Sequence, residues 1–212
     1  LDLTDPQAPV HTGCWGEAGA LHDAHCIVYD GPDVDHQGKE ICVTFNGWNQ
    51  AISIVDVDDP MMPVELARLE YEVSAYTHQG WFTDDHTHVL MNDEIDELDN
   101  ATPTTTFIFD VSDLDMPLLV GVHDHETTSS DHNLYIHEGH VYQSNYSSGL
   151  RILDIANVAN GELNEGAYFD VYPEGNDPGF GLGTWSVYPY FESDNLMVSS
   201  MDRGLFILRR QD

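Results

Sequence analysis

The sequence is nearly without positive charge. Six Lys and Arg stand against 38 Asp and Glu, a formal net charge of -32 over 212 residues. A surface of that sign repels a phosphate backbone at every approach, which excludes nucleic acid as a partner. It suits a salty or extracellular medium, where counterions screen the self-repulsion, and it offers carboxylates to hard divalent cations such as Ca²⁺. Long apolar runs are missing too. No stretch approaches the ~20 residues that cross a bilayer, so no membrane span is expected. The opening LDLTDPQAPV lacks the charged and apolar regions of a signal peptide, so a signal for export would lie upstream of it.

Cysteine is scarce. Cys14, Cys26 and Cys42 form no CxxC pair, which excludes a zinc ribbon or a thioredoxin-like motif. In a secreted setting two of the three would pair and one would be left over; the alternative is three buried reduced thiols. Conventional catalytic signatures are also missing: there is no GxSxG elbow, no HExxH, no P-loop and no dinucleotide fingerprint. A binding or scaffold module is therefore expected ahead of an enzyme.

What the chain does have is an internal repeat. AISIVDVDDPMMPVEL (51–66) and TFIFDVSDLDMPLLVG (106–121) match closely, GLRILDIANVANGEL (149–163) follows, and GLFILRR (204–210) ends the series. Asp2, Asp56, Asp110 and Asp154 fall in register, at spacings of 54, 54 and 44 residues. A second series, HDAHCIVYDG (22–31), THQGWFTDDH (77–86), DHNLYIHEGH (131–140) and TWSVYPYFES (184–193), runs ahead of the first and reads as hairpins. Four short strands in about 50 residues, without helical periodicity, describe a β-propeller blade. The expected fold is all-β, one propeller region with four blades present: a partial unit at 1–21, then 22–75, 76–128, 129–180 and 181–212. A β-sandwich ranks second, because it does not require one motif at a fixed interval. The chain opens at the end of an IVD-type strand, which leads us to expect the C-terminal part of a larger ring.

The runs HDAHCIVYDGPDVDHQGKEIC, YTHQGWFTDDH, NDEIDELD, DHNLYIHEG, YSSGLRILD, WSVYPYF and GLFILR, in that order over essentially all residues, resemble the LVIVD-repeat proteins of the choice-of-anchor B family. The resemblance implies an exported bacterial propeller of seven blades, of which these would be the last four. Family members carry varied C-terminal surface anchors, whereas this chain ends at Arg210-Gln211-Asp212 without one. It implies no established activity. It also implies a further cysteine upstream to suit Cys14, which leaves Cys26 and Cys42 to face each other across the first hairpin.

Several residues are candidates for chemistry. His22, His25, His78 and His132 sit at or just before the first strand of a blade, and such strands surround a propeller's central channel. Neutral imidazoles converging there, with Asp23 and Asp131 beside them, would bind a transition metal such as Zn²⁺, Cu²⁺ or Fe²⁺. The competing reading is structural: a repeated histidine hydrogen-bonds the next blade, and the fourth repeat has Trp185 in its place. Asp93, Glu94, Asp96, Glu97 and Asp99 fill a long link and would hold Ca²⁺, or else form a solvated loop. Asp33, Asp35 and Gly38 match the first, third and sixth positions of an EF-like loop, but Thr44 stands at the twelfth, so a plain turn is expected. His123 and His125 read as part of a solvated loop. Trp81, Trp185, Tyr188, Tyr190 and Phe191 are expected to pack between blades, with a sugar platform as the sharper alternative.

Three functions follow as expectations. The first is an extracellular or cell-surface propeller that binds a protein partner or the remaining blades of its own ring, with divalent cations stiffening it. The second is a metalloenzyme with a metal on His22, His78 and His132, acting on a small molecule. The third is a component of an extracellular filament or coat.

Overall fold

The computed structural model describes residues 1–175 and 177–210; Gln211 and Asp212, where the chain was read as ending without an anchor, lie outside them. The chain forms four consecutive antiparallel sheets. The first joins β1 (Asp23–Val28), β2 (Glu40–Phe45), β3 (Ala51–Asp56) and β4 (Val64–Glu70) in chain order. The second joins β5 (Thr77–Phe82), β6 (His88–Asp93), β7 (Thr105–Asp110) and β8 (Leu118–Asp124), with the single helical turn α1 (Asp96–Asp99) in the link between β6 and β7. The third joins β9 (Asn133–His137), β10 (His140–Ser144), β11 (Leu150–Asp154) and β12 (Asn164–Phe169). The fourth has three strands, β13 (Thr184–Tyr188), β14 (Asn195–Ser200) and β15 (Gly204–Arg209).

The recurring aspartate has one local job. Asp2, Asp56, Asp110 and Asp154 each accept a hydrogen bond from the backbone N–H two residues on, from Thr4, Asp58, Ser112 and Ala156, at 2.7–3.1 Å. A carboxylate used in this way turns the chain out of the strand it terminates. The Val, Ile and Phe residues before it fill the third strands with β-branched and aromatic side chains that suit a pleated, buried surface.

Period-two alternation then glues the sheets face to face. On β6, Val89 and Met91 join Ile41, Val43 and Phe45 of the first sheet, while Leu90 between them joins Leu134 and Ile136 of the third. A third layer, Tyr142, Leu150, Ile152, Val187, Leu196 and Val198, packs the third sheet on the fourth. Gly80 on β5 shows how close the first two sheets come: an added Cβ there would lie 2.3 Å from the Leu90 carbonyl oxygen and 2.7 Å from the Phe45 ring. First strands are inner and fourth strands outer, so β5 lies beside both β1 and β9, and β9 beside β13. The architecture is propeller-like and all-β. Among the described residues, no helix is long and apolar enough to cross a membrane.

Cys26 and Cys42 form a disulfide directly across the β1–β2 pair, and Cys14 is a free, exposed thiol. The HDHE segment differs from its reading as a solvated loop. His123 belongs to β8, and His125, just past its end, is buried, its backbone N–H bonded to the Thr104 carbonyl and its Nδ1 3.7 Å from Glu165.

Candidate functional site

The inner strands carry a row of rings, one from each sheet. His22, one residue ahead of β1, lies 4.3 Å from His78 between ring centroids; His78 lies 4.4 Å from His132, and His132 lies 4.4 Å from Trp185. Local irregularities aim two of the four. The pairing of β5 with β6 shifts between Thr77 and Gln79, making His78 an extra residue, and the pairing of β13 with β14 shifts in the same way at Trp185. A bulge of this kind turns one side chain out of the alternation and toward a site.

Glu94, immediately after β6, reaches into this row. Its carboxylate oxygens lie 3.5 Å from His78 Nε2 and 3.7 Å from His132 Nε2, and Tyr146 donates its hydroxyl proton to Oε1 at 2.6 Å. His132 Nδ1 faces the Trp185 carbonyl oxygen at 2.7 Å. A carbonyl only accepts, so Nδ1 carries the proton and Nε2 holds its lone pair toward Glu94. Burial lowers the His132 pKa to about 4. Burial lowers His78 further, helped by the neighbouring His132 and His22. Burial also raises Glu94, against the Tyr146 hydrogen bond, which lowers it. Burial holds both imidazoles uncharged at neutral pH, so their contacts with Glu94 are not ion pairs, and the His132 Nε2 lone pair faces a Glu94 carboxyl oxygen. A cation resolves that arrangement. Two imidazoles and one carboxylate are a donor set for Zn²⁺ or Fe²⁺, and the carbonyl that orients His132 is the outer partner such ligands normally have.

His22 flanks the pair, with Nδ1 2.8 Å from the Tyr76 hydroxyl and its side chain exposed. His25 does not join them. It sits three residues along an extended strand, about 10 Å away. Its ring stacks on Trp81 at 3.6 Å, and its Nδ1 accepts the Phe82 N–H at 3.2 Å. A histidine bonded to the backbone of the next sheet is thus found twice, in His25 with the Phe82 N–H and in His132 with the Trp185 carbonyl.

The acidic link divides into three. Asp93 is saturated by donors: Oδ1 accepts from Tyr76 N at 2.6 Å and Ile95 N at 3.5 Å, and Oδ2 from Ala75 N at 2.8 Å and the Tyr71 hydroxyl at 2.6 Å. It is a clasp on the turn before β5, so it has no oxygen to spare for an ion. Glu94 leaves the link for the histidines. Asp96 and Glu97, on α1, meet Asp131 from the entry to β9, while Asp99 is exposed. Burial, then the neighbouring carboxylates, raises Asp96 to about 8, Glu97 to about 10 and Asp131 well above the usual range. The meeting of Asp131 with Glu97 was not legible in the sequence, nor was Tyr146, 52 residues from Glu94. Only the fold joins them.

Among the remaining candidates, Asp33, Trp81 and Tyr190 make structural contacts, and Asp33 also lies close to His36 and Asp115. Asp33 accepts from Leu114 N at 3.0 Å and Asp35 N at 3.2 Å, tying the first hairpin to the second sheet, and Asp35 is exposed. Trp81 and Tyr135 pack edge to face, and Tyr190 donates to the Ile136 carbonyl at 3.1 Å. Trp185, Tyr188 and Phe191 are each more than two-fifths exposed.

No protein-family model matches the chain. No curated protein matches it either. Solved structures share its fold. A Lactobacillus plantarum protein aligns with a TM-score of 0.59 at 12% identity over 80% of this chain and 53% of its own. The periplasmic gluconolactonase PpgL of Pseudomonas aeruginosa aligns with a TM-score of 0.57 at 12% identity, over 82% of this chain and 54% of its own. The computationally designed protein Ika4 aligns with a TM-score of 0.50 at 11% identity, over 81% and 86%. The chain thus spans about half the length of the two natural neighbours, and at these identities the likeness is one of fold alone.

Proposed function

We propose that this chain is a propeller-like binding module of an extracellular or cell-surface protein, ordered around a transition-metal ion on His78, Glu94 and His132. One observation carries the reading: two uncharged imidazoles and a carboxylate, drawn from separate sheets, converge with the His132 Nε2 lone pair turned toward the Glu94 oxygen. Held there, a metal would fasten the second sheet to the third and leave the outer loops free to meet a partner. The Cys26–Cys42 disulfide favours an oxidising compartment. Leu205 and Ile207 on β15, each 60% exposed on the face away from the third sheet, favour a larger ring, of seven blades by the family resemblance, whose further blades would cover them.

The test is metal content. Stripped with a chelator and offered Zn²⁺, Cu²⁺ or Fe²⁺, the chain is expected to retain one ion in elemental analysis. His78→Ala and His132→Ala should lose it, and His25→Ala should keep it. No stoichiometric ion, or retention in both of the first two variants, would overturn the reading.

A metalloenzyme is the second reading, favoured by His22. Three protein ligands leave a position open for water or a small molecule, and His22 is exposed beside it. With Co²⁺ bound, azide should perturb the visible spectrum if that position is accessible; an unchanged spectrum would leave only the binding module.

A further inference from the structure

We propose that Asp96, Glu97 and Asp131 form a second cation site, distinct from the histidine cluster, and that its occupant is calcium. Asp96 and Asp131 are fully buried and Glu97 is 3% exposed. Both oxygens of Asp96, both of Asp131 and Oε2 of Glu97 have no hydrogen-bond donor. Only Glu97 Oε1 is satisfied, by the Asp131 N–H at 3.1 Å. The Thr102 hydroxyl and the Glu97 N–H stand beside Asp96 and favour its charged form, but both lie outside hydrogen-bond geometry. The Lys and Arg ion pairs of the described residues lie elsewhere, on Asp56, Glu165, Glu174 and Asp202. Buried polar groups are almost always paired, and carboxylates most of all, so three together with five of their six oxygens unpaired require either protons or a cation.

The size of the cluster selects the ion. One oxygen from each residue lies within 4.8 Å of the others. Ca²⁺ binds oxygen at about 2.3–2.6 Å, so two ligands on opposite sides of one ion stand up to about 5 Å apart. Mg²⁺, at about 2.0–2.1 Å, would draw them closer and gives up its waters reluctantly, which a closed site would demand. An all-oxygen set offers no nitrogen or sulfur to a softer metal. Three carboxylates supply up to six oxygens, within the coordination number calcium takes.

The position gives the ion a purpose. Asp96 and Glu97 belong to the link of the second sheet, and Asp131 leads into the third. Asp96 lies two residues after Glu94, and Asp131 directly precedes His132. Calcium here joins the two chain segments that present the histidine cluster and restrains both. The two sites share no ligand, so the loss of one removes no ligand from the other.

The experiment uses the whole chain, stripped with a chelator and titrated with CaCl2 in about 0.15 M NaCl to screen surface carboxylates. Calorimetry should find one saturable Ca²⁺ per chain, and the melting temperature should rise with calcium. Asp131→Asn removes one of three crowded buried carboxyl groups, so its calcium-free melting temperature should equal or exceed that of the parent while calcium affinity falls about tenfold or more. Asp96→Asn is the second variant, with the same pair of outcomes. Asp99→Asn, exposed on the same turn, should leave binding intact. His78→Ala should keep calcium whatever becomes of the transition metal. Absence of stoichiometric calcium in the parent, or equal responses of the parent and both buried variants, would overturn the proposal and assign the triad to shared protons.

Discussion

At the scale of single residues, histidines of one repeat series serve different ends because three residues along an extended strand change the surroundings entirely. His78 and His132 reach a carboxylate, whereas His25 is sandwiched against Trp81. Burial, aided by His86, lowers the His25 pKa from 6.5 to about 4. Between those values the unfolded chain takes up a proton that the folded chain refuses. Stability from this residue is therefore complete above about pH 6.5 and is lost as pH falls toward 4. We expect the urea midpoint of His25→Gln to fall less steeply than that of the parent over that window, and to parallel it above pH 7. Identical slopes throughout would show that His25 titrates normally. The candidate histidines were legible because they recur. Their sorting was not, since it depends on what each ring touches.

At the scale of elements, the Asp repeat was readable because its cause is local: a carboxylate bonds its own backbone two residues on, four times over. The bulges at His78 and Trp185 left no such mark, because a register shift is a property of two strands together. Cys26 and Cys42 lie directly opposite on β1 and β2 and close a loop of 16 residues. Loop-closure entropy of that length is worth about 3 kcal/mol. The double variant Cys26→Ser/Cys42→Ser should lose about that much in denaturant unfolding, and a reductant should lower the parent's midpoint but not the variant's. A parent indifferent to reductant would remove the disulfide from the folded state. The acidic link also behaves as an element: α1 folds inward, burying Asp96 and Glu97 while leaving Leu98 and Asp99 outside.

At the scale of the whole molecule, a net charge of -32 opposes compaction at every separation. Raising NaCl from about 0.01 to about 1 M shortens the screening length from about 30 to about 3 Å. The melting temperature should therefore climb with salt, and calcium should act at far lower concentration if it fills a built site. A melting temperature independent of NaCl would mean that the surface charge is already neutralised by bound ions.

The sequence by itself determined what local chemistry and period dictate: strands that alternate, aspartates that end them, a four-part β architecture and a strongly acidic chain. Tertiary structure alone decided which carboxylate serves which site. Asp93 meets four donors, Glu94 meets two imidazoles, and Asp96 meets Asp131, yet all three occur within four residues of one another. Neighbours in an irregular link point in unrelated directions, and their partners come from segments up to 52 residues away, so spacing carries no record of the meeting.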